Sequence, residues 1–143
     1  MNRAFLLAFF LMAAPAFAHN GVDDEPHHGG VVRPYKALHY EAAALPAGGV
    51  QIYFSDAMGE PLPASAVSQV AVEIEHPGAK TDYVDMAIDP TGVFWAGKSA
   101  PLSDAKSILH IGFSFQGTPA ALALPGSALI AAAKKKPEKH HDH

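Results

Sequence analysis

Short runs of alternating apolar and polar residues fill the middle of the chain, with turn residues between them. In the clearest run, Leu38, Tyr40 and Ala42 lie on one face, while His39 and Glu41 lie on the other. Alternation with a period of two is typical of half-buried β-strands. Similar runs occupy residues 50–54, 70–74, 83–88, 93–95 and 108–115. We therefore predict an all-β fold, an antiparallel immunoglobulin-like β-sandwich of about six to seven strands.

The segments on either side of these runs have a different character. Residues 19–30 are polar and rich in glycine and histidine, and residues 134–143 have no apolar side chain to bury. We expect a flexible amino-terminal arm, one domain over residues 31–133 and a disordered carboxy-terminal tail. Weak helical periodicity predicts short helical turns within residues 62–67 and 128–133.

The beginning of the chain has the pattern of a secretory signal peptide. Met1-Asn2-Arg3 carries one positive charge, residues 4–14 are apolar, and Ala16-Phe17-Ala18 has the small-residue pattern of a cleavage site. The apolar run is shorter than the roughly 20 residues that a membrane-spanning helix needs. We expect cleavage after Ala18, which would leave His19 as the first residue of a periplasmic or secreted protein without membrane insertion.

The composition of the chain after cleavage excludes several classes of function. Cleavage would leave 125 of the 143 residues, and the loss of Arg3 would take the net charge from −4 to −5. A mildly acidic domain offers no electrostatic attraction for nucleic acid. The chain contains no cysteine, which excludes disulfides, a lipidated cysteine and thiolate metal sites. Any bound metal must therefore use nitrogen and oxygen ligands, with a thioether as the remaining option.

Nine histidines are the main candidate metal ligands, and imidazole suits copper and zinc. His27 and His28 precede two glycines, whose backbone freedom would let both imidazoles turn toward an ion. If the arm folds back over the face of His39, that residue could meet His28, with His110 as a further candidate. Glu41 on the same face would be a ligand or would orient an imidazole. Alternatively, His39 and His110 are solvated residues on the polar face of a sheet.

The two ends of the mature chain carry further histidines. An amino-terminal His19 could hold copper through its α-amine and ring nitrogen together, as in copper monooxygenases, or it could be incidental. The tail groups His140, His141 and His143 around Asp142. Because short histidine-rich tracts bind ions weakly, we expect the tail either to raise the local ion concentration or to be a solvated end.

Motifs of several enzyme classes are missing from the sequence. It has no G-x-S-x-G, no phosphate-binding P-loop and no G-x-G-x-x-G. The acidic residues 23–25 lack the spacing of a calcium-binding EF-hand loop. We expect a protein that is not an enzyme.

Three motifs together resemble a known group of proteins. Residues 26–32 read Pro-His-His-Gly-Gly-Val-Val, residues 39–41 read His-Tyr-Glu, and residues 53–61 fit Y-x-x-D-x-x-G-x-P. These motifs resemble those of small exported bacterial domains, which begin with H-G-G-x-V and contain an H-x-E strand. They are also similar to the amino-terminal part of periplasmic adaptor subunits of heavy-metal efflux systems. The resemblance implies a β-sandwich with a role near copper or zinc, and it carries over to His28, His39 and Glu41.

These features together predict a periplasmic metal-binding protein. We expect a carrier or buffer for copper or zinc ions, linked to heavy-metal handling, with histidine and carboxylate ligands and efflux components as partners. The candidate ligands are His28, His39, Glu41, His27, His19 and His110. One alternative is an interaction module that docks on an envelope or efflux complex, and another is a copper enzyme with a histidine brace at His19.

Overall fold

The computed structural model describes residues 25–135 as two antiparallel β-sheets and one short helix. The predicted all-β sandwich is confirmed. The predicted signal peptide (residues 1–18), residues 19–24 of the predicted arm and residues 136–143 of the predicted tail lie outside the described residues.

The sheets contain nine strands within the described residues. In chain order they are β1 Val31–Tyr35, β2 Leu38–Ala44, β3 Val50–Asp56, β4 Ser68–Glu75, β5 Asp82–Val84, β6 Ala87–Ile88, β7 Trp95–Gly97, β8 Ile108–Phe115 and β9 Thr118–Pro125. The first sheet has the order β1-β2-β3-β7-β6, and the second has the order β5-β4-β8-β9. A 3-10 turn covers Ala64–Ala66, and the helix α1 covers Gly126–Lys134.

The core lies between the two sheets and is built from the apolar faces that the alternation predicts. Strands β2 and β3 contribute Leu38, Tyr40, Ala42, Val50, Ile52 and Phe54, and strands β4 and β8 contribute Val70, Val72, Ile74, Leu109, Ile111 and Phe113. The Phe113 ring makes edge contacts with Tyr40 and Phe54 at centroid distances of 6.4 and 5.3 Å. Aromatic pairs at such distances stabilise a core beyond their buried area.

The structure has more strands than the six or seven predicted. The predicted run at residues 83–88 divides between the sheets, because β5 pairs with β4 and β6 pairs with β7. Strand β9 was not predicted, because outward alanines between Ala120, Leu122 and Leu124 hide its alternation. The expected helical turns are present at Ala64–Ala66 and in α1, which extends beyond the predicted 128–133.

Strand β2 is buried on both of its faces, which is unusual for a sheet that faces solvent on one side. All seven of its residues are buried. One face contacts the core, α1 packs against β1, β2 and β9, and residues 27–30 hydrogen-bond to the outward Glu41. In the described part of the chain, no helix has the length and apolar character needed to cross a membrane.

Candidate functional site

The carboxylate of Glu41 anchors the arm to the outer face of the first sheet. It is 6% exposed. Its Oε1 accepts from the backbone N–H of His27 at 3.1 Å, and its Oε2 accepts from those of His28 at 2.8 Å and Gly30 at 2.9 Å. The ring Nδ1 of His28 adds a fourth contact, 3.0 Å from Oε1. Hydrogen bonds to an ionised carboxylate are about twice as strong as neutral ones, so this segment is held firmly.

The two glycines make this wrapping of Glu41 possible. Gly29 has a φ of +75°, a left-handed conformation that favours glycine. A Cβ on Gly30 would lie 2.4 Å from the backbone oxygen of Ala42, so only glycine lets the chain approach β2 this closely. In the structure the described end of the predicted arm, residues 27–30, lies against the sheet and hydrogen-bonds to Glu41.

The His28 ring is held on both its edge and its face. Its Nδ1 donates to Glu41, and its ring stacks on Tyr53 with centroids 3.6 Å apart and an interplanar angle of 4°. Tyr53 in turn packs against Phe94 at 4.9 Å and donates to Gln51 Oε1 at 3.0 Å. Because Nδ1 carries the donated hydrogen, the neutral ring has its lone pair on Nε2, to which no described residue hydrogen-bonds. The side chain is 39% exposed.

The imidazole of His39 has the same tautomer for a similar reason. Its Nδ1 lies 3.0 Å from the carbonyl oxygen of Asp56. A carbonyl can only accept, so the hydrogen is on Nδ1 and the lone pair of the neutral ring is on Nε2. His39 is 8% exposed. The register places it beside Ser55, and Glu41 beside Tyr53, so the prediction that His39 and Glu41 share one outer face is confirmed.

The Y-x-x-D-x-x-G-x-P motif builds the turn that orients His39. Asp56 Oδ1 accepts from the N–H groups of Met58 and Glu60 at 2.9 Å each, and Gly59 has a φ of +86°. The Asp56 carbonyl then accepts from the ring of His39. The three sequence motifs therefore meet at one place on the first sheet.

His110 lies on the opposite side of the molecule. It is on β8 of the second sheet, next to Glu73 on β4, and its Nε2 is 3.0 Å from Glu75 Oε2. The core of the sandwich separates the outer faces of the two sheets, so the predicted convergence of His110 with His28 and His39 is wrong. Alternation assigns a residue to a face but does not say which sheet its strand joins.

A cleft of about 150 Å³ opens between the arm and the outer face of the first sheet. Its polar lining includes Glu25, His27, His28, Glu41, Tyr53 and Ser55, and its apolar lining includes Val32, Phe54, Leu62 and Val93. Burial raises the pKa of the Tyr53 phenol, and the nearby carboxylates of Glu41 and Asp89 raise it further. Tyr53 is therefore a neutral hydroxyl near pH 7. Tyr53 was not among the residues predicted from the sequence, although it lies directly opposite Glu41 in the hairpin of β2 and β3.

The described residues supply oriented imidazoles rather than a complete metal cage. Within residues 25–135 there is no group of three or more His, Asp or Glu side chains arranged to hold a metal ion. Both oxygens of Glu41 already accept two donors each. Glu41 therefore fits the role of orienting His28 better than that of a direct ligand. His19 and the histidines of the predicted tail lie outside the described residues.

A second histidine network has the residue types of a catalytic triad but not its accessibility. The ring of His76 lies 3.2 Å from Ser107 Oγ through Nδ1 and 2.8 Å from Asp82 Oδ2 through Nε2. Ser107 is 1% exposed, so its hydroxyl cannot reach a substrate. The network connects the turn after β4 to the loop before β8 and has a structural role.

No family model, curated protein or solved structure matches this chain.

Proposed function

We propose that this protein is an exported metal-binding protein that carries or buffers copper or zinc ions in the periplasm. Its ligands on the sandwich are the Nε2 atoms of His28 and His39. The observation that carries the proposal is the His28 ring, whose Nδ1 donates to the buried carboxylate of Glu41. Metal-ligating histidines commonly donate their other ring nitrogen to a carboxylate or a carbonyl, which fixes the tautomer and makes the ligating nitrogen more basic.

The ligand chemistry supports copper(II) and zinc(II). Imidazole nitrogen binds both ions well, and the chain has no cysteine that would favour softer thiolate sites. His39 has the same arrangement as His28, with a backbone carbonyl in place of the carboxylate. The signal-peptide pattern and the resemblance to domains of heavy-metal efflux adaptors support an exported role in metal handling.

The position of the ligands supports a carrier rather than a catalyst. His28 belongs to the arm and is partly exposed, so an ion there can exchange with solvent or with a partner. Two protein ligands leave other coordination positions of the ion open to a ligand from an accepting protein, which suits transfer.

The test is a metal titration of the mature chain, residues 19–143, by calorimetry with copper(II) and with zinc(II). We expect one tight site per chain. His28→Ala and His39→Ala should each weaken it by more than the roughly 10–100-fold that loss of an outer hydrogen-bond partner costs. The matched control is His110→Ala, the same change on the other sheet, which should leave the affinity unchanged.

Two outcomes would contradict this proposal. Equal losses in all three variants would mean that binding is spread over the histidines without a defined site. The absence of tight binding in the wild-type chain would instead favour the interaction module. Circular dichroism spectra and thermal unfolding of each variant establish that the comparison is made between folded proteins.

A further inference from the structure

Three of the four sheet edges have features that prevent pairing with another strand. The first sheet ends at β1, which contains Arg33 and Pro34, and at β6, which has two residues. The second sheet ends at β5, which has three residues, and at β9, which has eight. Charges, prolines and short length are the usual protection of edge strands. Strand β9 has neither a charge nor a proline between Ala120 and Leu124, and its register with β8 is continuous.

The hairpin between β8 and β9 determines which backbone groups of β9 point away from the sheet. Its turn residues, Gln116 and Gly117, have φ angles of +53° and +80°, as in a type I′ turn. The pair that adjoins this turn, Phe115 and Thr118, therefore exchanges hydrogen bonds. Bonded and non-bonded pairs alternate along an antiparallel ladder. The N–H and C=O positions of every second residue from 119 to 125 thus point outward.

The four outward positions are occupied by Pro119, Ala121, Ala123 and Pro125. The two prolines fit this assignment, because a proline loses no ladder hydrogen bond where its nitrogen faces away from the sheet. Ala121 and Ala123 are exposed, and among residues 25–135 nothing hydrogen-bonds to their outward groups. Between its prolines, the edge therefore offers two N–H groups and two C=O groups.

This edge is symmetric about Leu122, so it is complementary to a second copy of itself. If two β9 strands run antiparallel with Leu122 opposite Leu122, each Ala121 lies beside Ala123 of the other copy. A hydrogen-bonded pair exchanges two bonds, so the outward N–H and C=O groups of all four alanines are satisfied. The next pair on each side joins Pro119 to Pro125, which have no N–H, so the ladder ends there.

We propose that the protein forms a two-fold symmetric dimer through β9, in which two four-stranded sheets join into one sheet of eight strands. A two-fold interface uses the same surface on both copies. The symmetry of the outward groups about Leu122 therefore favours a second copy over an unrelated extended peptide. The inference is independent of the proposed metal site, because His39 is on β2 and the arm that carries His28 lies against the first sheet.

The test exchanges charges across the interface, using residues 19–143 with a chelator so that no metal ion joins two copies. In one variant Ala121 and Ala123 are both changed to Lys, and in the other both are changed to Glu. Like charges directly opposite each other in a sheet are destabilising, whereas opposite charges attract. By analytical ultracentrifugation we expect twice the chain mass for wild type and the single mass for each variant alone. An equimolar mixture of the two variants should recover the double mass.

The matched control is Ala71→Lys, at an exposed position of the inner strand β4, which should remain a dimer. A wild-type chain with the mass of one copy would overturn the proposal and leave the edge to a strand of another protein. Charge variants that stay dimeric would place the contact elsewhere and would also overturn it. A mixture that stays monomeric would overturn the pairing centred on Leu122. Circular dichroism before mixing establishes that each variant is folded.

Hydrogen exchange followed by NMR tests the same hydrogen bonds without charged variants. In wild type we expect slow exchange at the amides of Ala121 and Ala123, although both point out of the sheet. Ala121→Pro removes one outward donor at no cost to the ladder of the single copy, so the amide of Ala123 should exchange fast. Ala121→Thr keeps the donor, and Ala123 should stay slow. Fast exchange at both alanines in the wild-type dimer would overturn the proposal.

Discussion

At the scale of single residues, Glu41 is the best-defined polar group of the site. A buried carboxylate requires hydrogen-bond donors, because leaving it unpaired away from water is costly. Glu41 has four donors, two on each oxygen, and three of them are backbone N–H groups of the arm. One side chain thus determines both the path of the arm and the orientation of the His28 ring.

We expect Glu41→Gln to lower the free energy of unfolding by about 1–3 kcal/mol, the usual cost of leaving buried polar groups without partners. Glutamine has one accepting oxygen and one donating NH2 group. Whichever way its amide turns, two of the four donors lose their acceptor. Urea unfolding measures the change, and Glu73→Gln, at an exposed position of β4, is the control. The control should stay within about 0.5 kcal/mol, and equal losses would contradict the anchoring role.

The sequence predicted part of this arrangement. The period of two was enough to place His39 and Glu41 on one face, since alternate residues of a strand share a face. It could not identify the donors to Glu41, because these are main-chain groups of a loop, and their position depends on backbone angles at Gly29. The place of Tyr53 in the site depends on the register between β2 and β3, which pairs it with Glu41 and which alternation within one strand does not specify.

At the scale of elements, the described part of the arm packs closely against the outer face of the first sheet. Residues 27–30 cover the outer face of β2, so a strand that would otherwise face solvent is buried on both sides. The fit depends on Gly30, which lies where any side chain would meet the backbone of β2. The arm is thus the element that connects His28, the proposed metal ligand, to the fold.

We expect Gly30→Ala to displace the arm and to destabilise the protein by about 1–3 kcal/mol, the usual cost of overpacking. Metal affinity should fall together with stability, because the His28 ring loses its contact with Glu41. Gly112→Ala is the matched control: a Cβ there would have its nearest contact at an ordinary 3.7 Å. Hydrogen exchange of the amides of residues 27–30 and calorimetry follow the two effects. Unchanged protection of these amides in Gly30→Ala would contradict the fit.

Strands were predictable where one face is apolar and the other polar, as in β2, β3, β4 and β8. Alternation fails where both faces are apolar, as in β9, whose outward residues include Ala121 and Ala123. Pro125-Gly126 marks the junction between β9 and α1. Very short strands such as β6 are defined by pairing with a neighbour, which is a property of the fold and not of the local sequence.

At the scale of the whole molecule, the assignment of strands to sheets decides which histidines can meet. The alternation in the sequence predicts the same position for His39 and for His110, on the outward face of a strand. The fold separates them because β2 and β8 belong to different sheets, with the core between. The site therefore consists of residues that are close in sequence, within 27–56, brought together by the hairpin of β2 and β3 and by the arm.

Because the proposed ligands come together only in the folded chain, we expect binding of metal to stabilise the whole molecule. One site with free zinc(II) at 100 times its Kd raises the free energy of unfolding by about 2.7 kcal/mol, less any binding to the unfolded chain. Urea midpoints with and without zinc(II) measure this gain, which His110→Ala should retain and His28→Ala should lose. A histidine-rich chain that bound zinc without a folded site would gain nothing from folding, since its unfolded form would bind equally well. A gain of the same size in His28→Ala would place the ion elsewhere on the folded chain.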